Sequence, residues 1–242
     1  MPRQKMKRRE FDNGLVLLTE RIPEKKKAVL LVGVKVGSVN EPMRINGGSH
    51  FNEHLLFKSN PHRSARQIIE DMEYSGTVVN AYTTWEYTAF YAKTPPAELG
   101  NALQILFEAA TNLNYDEEEF ELERQVILTE IRNYINSPEK YSMLGLFIPT
   151  LFKGTPLEKK IEGTVESMGA VRKEELEDFK GKYYKPNNMV IAVGGRFDEG
   201  KLKDEIEETF GSLGTGGKNR VKEIDLSNKS GYRQVERRDI TQ

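Results

Sequence analysis

The sequence of 242 residues contains no cysteine, which excludes disulfide bonds and thiolate metal sites. It has no apolar run long enough to span a membrane, and no apolar segment follows the basic residues near the N-terminus. The formal net charge of −1 creates no overall field that would attract nucleic acid or an acidic membrane. We therefore expect a globular cytoplasmic protein that has neither a membrane span nor a nucleic-acid partner.

The composition is that of a folded protein with a highly charged surface. Charged residues make up 30% of the chain and apolar residues 37%. Lysine and glutamate are abundant while glutamine is scarce, a pattern typical of thermophile proteins.

Hydrophobic periodicity predicts alternating strands and helices. The predicted strands cover residues 14–22, 28–38, 77–94 (two strands with a break near Thr84) and 188–197. The predicted helices cover residues 47–59 (capped by Ser49), 64–76, 97–112, 116–137, 172–184 and 199–213. The first two strands could pair as neighbours. Hairpins with interspersed helices predict an α+β fold with a mostly antiparallel sheet covered by helices.

The chain divides into four segments by composition. Residues 1–10 are a basic N-terminal arm, which we expect to be a solvated tail. Residues 11–213 form the main domain, and the polar, glycine-rich residues 214–231 are predicted to be a linker. Residues 232–242 begin what could be another strand.

Two of the three histidines, His50 and His54, stand four residues apart with Glu53 between them. On a helix these histidines share one face, so both imidazoles can bind one metal ion. Glu53 could then act as the general base for a water molecule at the metal. Imidazole and oxygen ligands favour zinc. Residue frequencies alone give such a match in roughly one comparable chain in a few hundred, so chance explains it poorly.

A catalytic zinc site needs a third protein ligand. His62 lies in the loop-like stretch NPHRS, where we expect it to be a loop residue and not a ligand. The acidic helix offers Glu123 and Glu130, which are seven residues apart and so share a face. Helix geometry does not choose between them. We expect the glutamates at 117–119 to lie on a solvated face.

The order His50-x-x-Glu53-His54 is the inverted zinc motif. With it, the chain resembles the family of pitrilysin, insulin-degrading enzyme and mitochondrial processing peptidase, and most of all its smaller processing-peptidase-like branch. Other stretches resemble family blocks in family order across nearly the whole chain: GGSHFNEHLLFKS, NAYTTWEYTAFYA, ERQVILTEI, GTPLEKKIEGTVESM and FKGKYYKPNNMVIAVGG.

The resemblance implies a zinc-dependent metalloendopeptidase that acts on unfolded or extended peptides and binds one zinc ion per chain. His50, His54 and Glu130 would be the zinc ligands. Glu53 would activate water, and Glu123 would support catalysis without binding the metal.

The resemblance also predicts how substrate and partner bind. Asn80, Ala81 and Tyr82 resemble the edge strand on which family members pair an extended peptide. Residues 11–213 would be the zinc-bearing half of a two-half clamshell, and residues 232–242 the first strand of the second. In the family that second half supplies an arginine and a tyrosine that hold the substrate carbonyl, and no residue here matches them.

A C-terminal half or a homologous subunit, as in a dimer, is therefore the expected partner, and the chain alone should be weakly active or inactive. The alternative is a non-catalytic peptide-binding or scaffold subunit of a processing-peptidase-like complex. The complete motif favours the peptidase, because a scaffold needs none of its residues.

Two positions depart from the family pattern. Asn52 stands where an apolar residue is usual, and Ser59-Asn60 where a small-Gly-Thr run is common. Since Asn52 faces away from His50 on a helix, we expect altered packing and not loss of zinc.

Overall fold

The computed structural model describes residues 6–217 and contains a six-stranded sheet. Its strands are β1 (Lys7–Glu10), β2 (Val16–Arg21), β3 (Ala28–Val34), β4 (Val78–Thr83), β5 (Thr88–Thr94) and β6 (Met189–Gly195). The strand order is β1-β2-β6-β3-β5-β4, and every neighbouring pair is antiparallel except β2 and β6. The prediction of an α+β fold with a mostly antiparallel sheet is confirmed.

The helices lie between the strands in the sequence, or after the last strand. They are α1 (Gly48–His54), α2 (Ala65–Ser75), α3 (Leu99–Thr111), α4 (Glu117–Asn136), α5 (Pro138–Lys140), α6 (Ile148–Leu151), α7 (Val165–Ala170), α8 (Lys173–Tyr183) and α9 (Glu199–Glu208). A π-helical turn, Tyr141–Phe147, joins α5 to α6. Among residues 6–217, no helix combines the length and apolar character that crossing a membrane requires.

Strands β2 and β3 are not neighbours, so the predicted pairing is wrong. Strand β6 lies between them: Ala192 is the partner of Leu18 in the parallel pair and of Leu31 in the antiparallel pair. A period-two pattern marks a strand and its buried face, but it does not identify the partner. A strand that comes much later in the chain therefore takes the central position.

The prediction of a solvated N-terminal tail does not hold for Lys7–Glu10. These residues form β1, which pairs with β2 and closes one edge of the sheet. All four side chains are exposed, and the ammonium of Lys7 lies 2.6 Å from Glu199 Oε2 at the start of α9. The predicted strand at 232–242 and residues 218–231 of the predicted linker lie outside the described residues. The domain boundaries stay predictions.

Candidate metal centre

Helix α1, which carries both motif histidines, begins at Gly48 and not at a Ser49 cap. The preceding residue, Gly47, has φ +98°, a left-handed conformation that favours glycine. The buried Glu41 carboxylate takes the place of the predicted cap. It accepts hydrogen bonds from the backbone N–H groups of Gly47 and Ser49, both at 2.7 Å, and from Asn46 Nδ2 at 2.9 Å. Burial raises the pKa of Glu41 despite these bonds.

Two buried side chains, Phe51 and Asn52, fix the orientation of α1. The ring of Phe51 stacks on Phe120 of α4 with centroids 4.7 Å apart. On the side of α1 away from the histidines, Asn52 is fully buried and accepts a hydrogen bond from Tyr115 Oη at 2.7 Å. Asn52 Nδ2 donates to the carbonyl of Leu176 at 3.3 Å. Asn52 thus has polar partners on both sides of its amide within the buried core.

The structure brings His50, His54 and Glu130 together. One potential ligand atom from each lies within 4.8 Å of the others. Glu130 Oε2 is 3.9 Å from His50 Nε2 and 3.5 Å from His54 Nε2. Ligands about 2.0–2.1 Å from a tetrahedral zinc ion lie about 3.3 Å from one another, so a small closure of the three side chains fits the ion. Of the two glutamates that helix geometry left open, Glu130 lies among these atoms.

Glu123 contacts the other nitrogen of the His54 ring. Its Oε2 lies 3.0 Å from His54 Nδ1, and its Oε1 makes a close ion pair with Lys58 Nζ. Burial by itself would raise the pKa of Glu123, but the hydrogen bonds and charges of Lys58 and His54 outweigh it and lower the pKa. A carboxylate that accepts the second ring proton of a metal-binding histidine fixes its tautomer, and Glu123 occupies that position.

His50 is held neutral by its surroundings. Burial, together with the neighbouring His54, lowers the pKa of His50 to about 3. A histidine must be unprotonated to bind a metal ion, so this environment suits a ligand.

Glu53 precedes His54 on α1 and contacts the edge strand β4. Burial raises its pKa, although Thr83 Oγ1 donates a hydrogen bond to Glu53 Oε2 at 2.7 Å. A raised pKa brings a carboxylate nearer to the range in which it exchanges protons at neutral pH. Since Thr83 is the last residue of β4, this bond joins the candidate base to the edge strand.

The residues predicted to bind substrate, Asn80, Ala81 and Tyr82, lie in β4. They pair with Tyr91, Phe90 and Ala89 of β5, respectively. On its other side β4 has no neighbouring strand within residues 6–217. The structure therefore places the predicted substrate strand at an open sheet edge, next to Glu53.

Sequence reasoning missed Lys58 and Thr83. Lys58 follows His54 by four residues, but α1 ends at His54, so helical spacing does not place it. Thr83 directly follows Tyr82 of the predicted substrate strand, and this adjacency is the one signal that could have found it. The solvated face predicted for residues 117–119 is wrong for Glu119, which accepts hydrogen bonds from the backbone N–H and the hydroxyl of Ser59, both at 2.8 Å.

His62 is predicted to be a loop residue and not a ligand, and it lies outside the group of His50, His54 and Glu130. Its side chain is exposed in the turn after Asn60, whose Oδ1 accepts the His62 backbone N–H at 2.8 Å.

Comparison with protein families gives two matches. The family model described as Insulinase (Peptidase family M16) matches residues 16–165. A second model, described as Peptidase M16 inactive domain, matches residues 170–242 and so begins before the predicted boundary at residue 213.

Known proteins and structures agree with these matches. An uncharacterized zinc protease of Mycobacterium leprae is 34% identical over 85% of this chain and 46% of its own length. A protease from Helicobacter pylori has a TM-score of 0.83 at 28% identity, over 92% of this chain and 54% of that one. The periplasmic protease PqqL from Escherichia coli also has a TM-score of 0.83, at 25% identity, over 93% of this chain and 26% of that one.

This chain thus spans about half the length of the curated relatives it matches, and its sheet and helices correspond to one half of the clamshell proteases of that family. The matched family model covers more than half of the 242 residues. The chain belongs to peptidase family M16, the insulinase family.

Proposed function

We propose that this chain is the zinc-bearing half of a metalloendopeptidase that hydrolyses extended peptides. The observation that carries the proposal is the convergence of His50, His54 and Glu130, with Glu53 beside His54 on α1. When bound, a zinc ion supplies Lewis acidity that polarises a carbonyl and makes water acidic near neutral pH. The two imidazoles and the carboxylate are a donor set of the kind that zinc peptidases use.

Glu53 moves the proton in this proposal. Its carboxylate accepts a proton from the attacking water and delivers it to the leaving amide nitrogen, so that the amine departs neutral. Thr83 holds one carboxylate oxygen at 2.7 Å and leaves the other for the water. Burial raises the pKa of Glu53, which helps the carboxyl group to hold the proton between the two transfers.

The open edge of β4 supports an extended substrate. Along residues 80–82, alternate residues direct their backbone N–H and C=O groups away from β5, and a peptide that adds as a further strand pairs with those groups whatever its sequence. Folded proteins have most of their backbone groups already paired, so they cannot add in this way. Because Thr83 continues β4 and binds Glu53, the edge strand directs the peptide toward the candidate base.

A second half completes the active enzyme in this proposal. The partner is a C-terminal half or a homologous subunit in a dimer, since the relatives are about twice as long. Groups that hold the substrate carbonyl would come from that half, and losing one such donor costs about 10²–10³-fold in rate. The chain alone is therefore expected to bind zinc but to cleave peptides very slowly or not at all. The cytoplasmic location stays a prediction.

The alternative function is a peptide-binding or scaffold subunit without catalysis. The convergence of His50, His54 and Glu130 favours the peptidase, because a scaffold has no use for a carboxylate between two imidazoles.

Metal analysis tests the zinc site directly. The purified chain should contain about one zinc ion, and His54→Ala should lose it, while the exposed His62→Ala serves as the matched control and keeps it. An unchanged zinc content in His54→Ala would refute the site.

The catalytic step is tested with the chain combined with its second half. Glu53→Gln should keep zinc and lose about 10²–10⁴-fold of the cleavage rate on an unstructured peptide. If the combined wild-type protein binds zinc but cleaves no member of a varied peptide library, the scaffold function replaces the peptidase.

A further inference from the structure

The segment that leaves α1 contacts two consecutive turns of α4. Lys58 Nζ pairs with Glu123 Oε1. The next residue, Ser59, gives its backbone N–H and its hydroxyl to the two carboxylate oxygens of Glu119, each at 2.8 Å. Glu119 and Glu123 are four residues apart and share the face of α4 that also carries Glu130. These contacts set the position of α4 relative to the histidines of α1.

Two carboxylates of α4 contact the same imidazole from different sides. Glu130 Oε2 is 3.5 Å from His54 Nε2, and Glu123 Oε2 is 3.0 Å from His54 Nδ1. If Glu123 turned away, the ring would lose the acceptor that keeps a proton on Nδ1 and leaves the Nε2 lone pair free. The geometry at His54 therefore depends on what holds the Glu123 carboxylate.

We propose that Lys58 is a positioning residue of the zinc site: it fixes the Glu123 carboxylate against Nδ1 of His54 and thereby keeps Nε2 of His54 directed at Glu130. The proposal rests on the proposed zinc-binding function. Lys58 binds one oxygen of Glu123 and the imidazole contacts the other, so both ends of the carboxylate have a partner.

Partial burial gives this ion pair more influence than an ordinary surface pair has. The side chains of Lys58 and Glu123 are 31% and 12% exposed. Elsewhere on α4, Lys173 Nζ lies 2.9 Å from Glu117 Oε2, where the glutamate is 68% exposed. Solvent screens such an exposed pair, so its loss should have little effect. Lys173 of α8 therefore offers a matched control, because it also pairs with a glutamate of α4.

The test measures zinc affinity by competition with a chelator in the full chain, and it needs no catalytic activity. We expect Lys58→Met to weaken zinc binding about 10–100-fold, the usual effect of losing a group that orients a metal ligand. Lys58→Arg, which keeps the cation, should restore most of the affinity, and Lys173→Met should match the wild type.

A double-mutant cycle shows whether Lys58 acts through Glu123. In a Glu123→Gln background, Lys58→Met should cause no further loss of zinc affinity. Far-UV circular dichroism of every variant reports whether it folds, and Lys58→Gln replaces Lys58→Met in both backgrounds if the methionine variant does not.

Two results would overturn the proposal. One is zinc affinity within about twofold of wild type in the neutral Lys58 variant, and the other is an equal loss with and without Glu123. A wild-type chain that binds no zinc is a different outcome, because it overturns the proposed function itself and this proposal with it.

Discussion

Lys180 should make the stability of this protein depend on pH. It is fully buried in α8, where its Nζ donates to the carbonyl of Ala109 at 2.8 Å. The same ammonium lies 5.2 Å from the ring of Tyr115 and 5.5 Å from that of Tyr184. Burial lowers the pKa of Lys180 from 10.5 to about 7. Since Tyr115 also binds Asn52, this lysine lies behind the helix that carries the histidines.

The direction of the effect follows from proton binding. Between about pH 7 and 10.5 the unfolded chain keeps the Lys180 proton while the folded chain releases it, so the free energy of unfolding rises with pH across this window. This contribution is lost as the pH falls through the folded pKa. Each unit of pKa shift corresponds to about 1.4 kcal/mol, which gives an upper bound of roughly 5 kcal/mol for the whole window. Between pH 7 and pH 9 we expect a gain of about 2 kcal/mol.

Urea unfolding at pH 7 and pH 9 measures this gain. Lys180→Met should remove the gain, since methionine fills a similar volume and does not titrate. Lys182→Met changes an exposed lysine of the same helix and should keep the pH dependence of the wild type. The reasoning is refuted if the wild type and Lys180→Met change equally between the two pH values.

Three further predictions concern the metal centre and its support. Glu130→Gln should weaken zinc binding more than Glu123→Gln in a chelator competition, because an amide is a poorer ligand than a carboxylate, and the opposite order would reverse their roles. Asn52→Leu should lower the free energy of unfolding by about 1–3 kcal/mol, because the buried hydroxyl of Tyr115 loses its hydrogen-bond acceptor. Adding Tyr115→Phe should recover most of this loss in urea unfolding. A double variant that is no more stable than Asn52→Leu would contradict the prediction. Gly47→Ala should lower the free energy of unfolding, measured with heat or urea, by at least about 1–3 kcal/mol. Alanine is strained at φ +98°, and its Cβ would lie 2.7 Å from a backbone oxygen. Unchanged stability would show that α1 starts differently.

The sequence by itself determined most of the strands and longer helices and identified the candidate metal-binding residues. Period-two and helical patterns placed the central strands and the longer helices to within a few residues, because these patterns record which side of each element is buried. The spacing of His50 and His54 around Glu53 pointed to a metal on one helix face. The resemblance then assigned Glu130 where helix geometry alone left two glutamates.

Tertiary structure decided what each buried or charged group meets. Strand β6 separates β2 from β3, Glu41 replaces Ser49 at the start of α1, and Lys58 reaches Glu123 across 65 positions of sequence. A local period in the sequence does not predict any of these contacts. Each joins two segments, and their separation along the chain does not show whether they meet in space. A sequence pattern indicates that a face of an element will be buried or that a charged group needs a partner. Only the packing of the whole domain determines which residue that partner is.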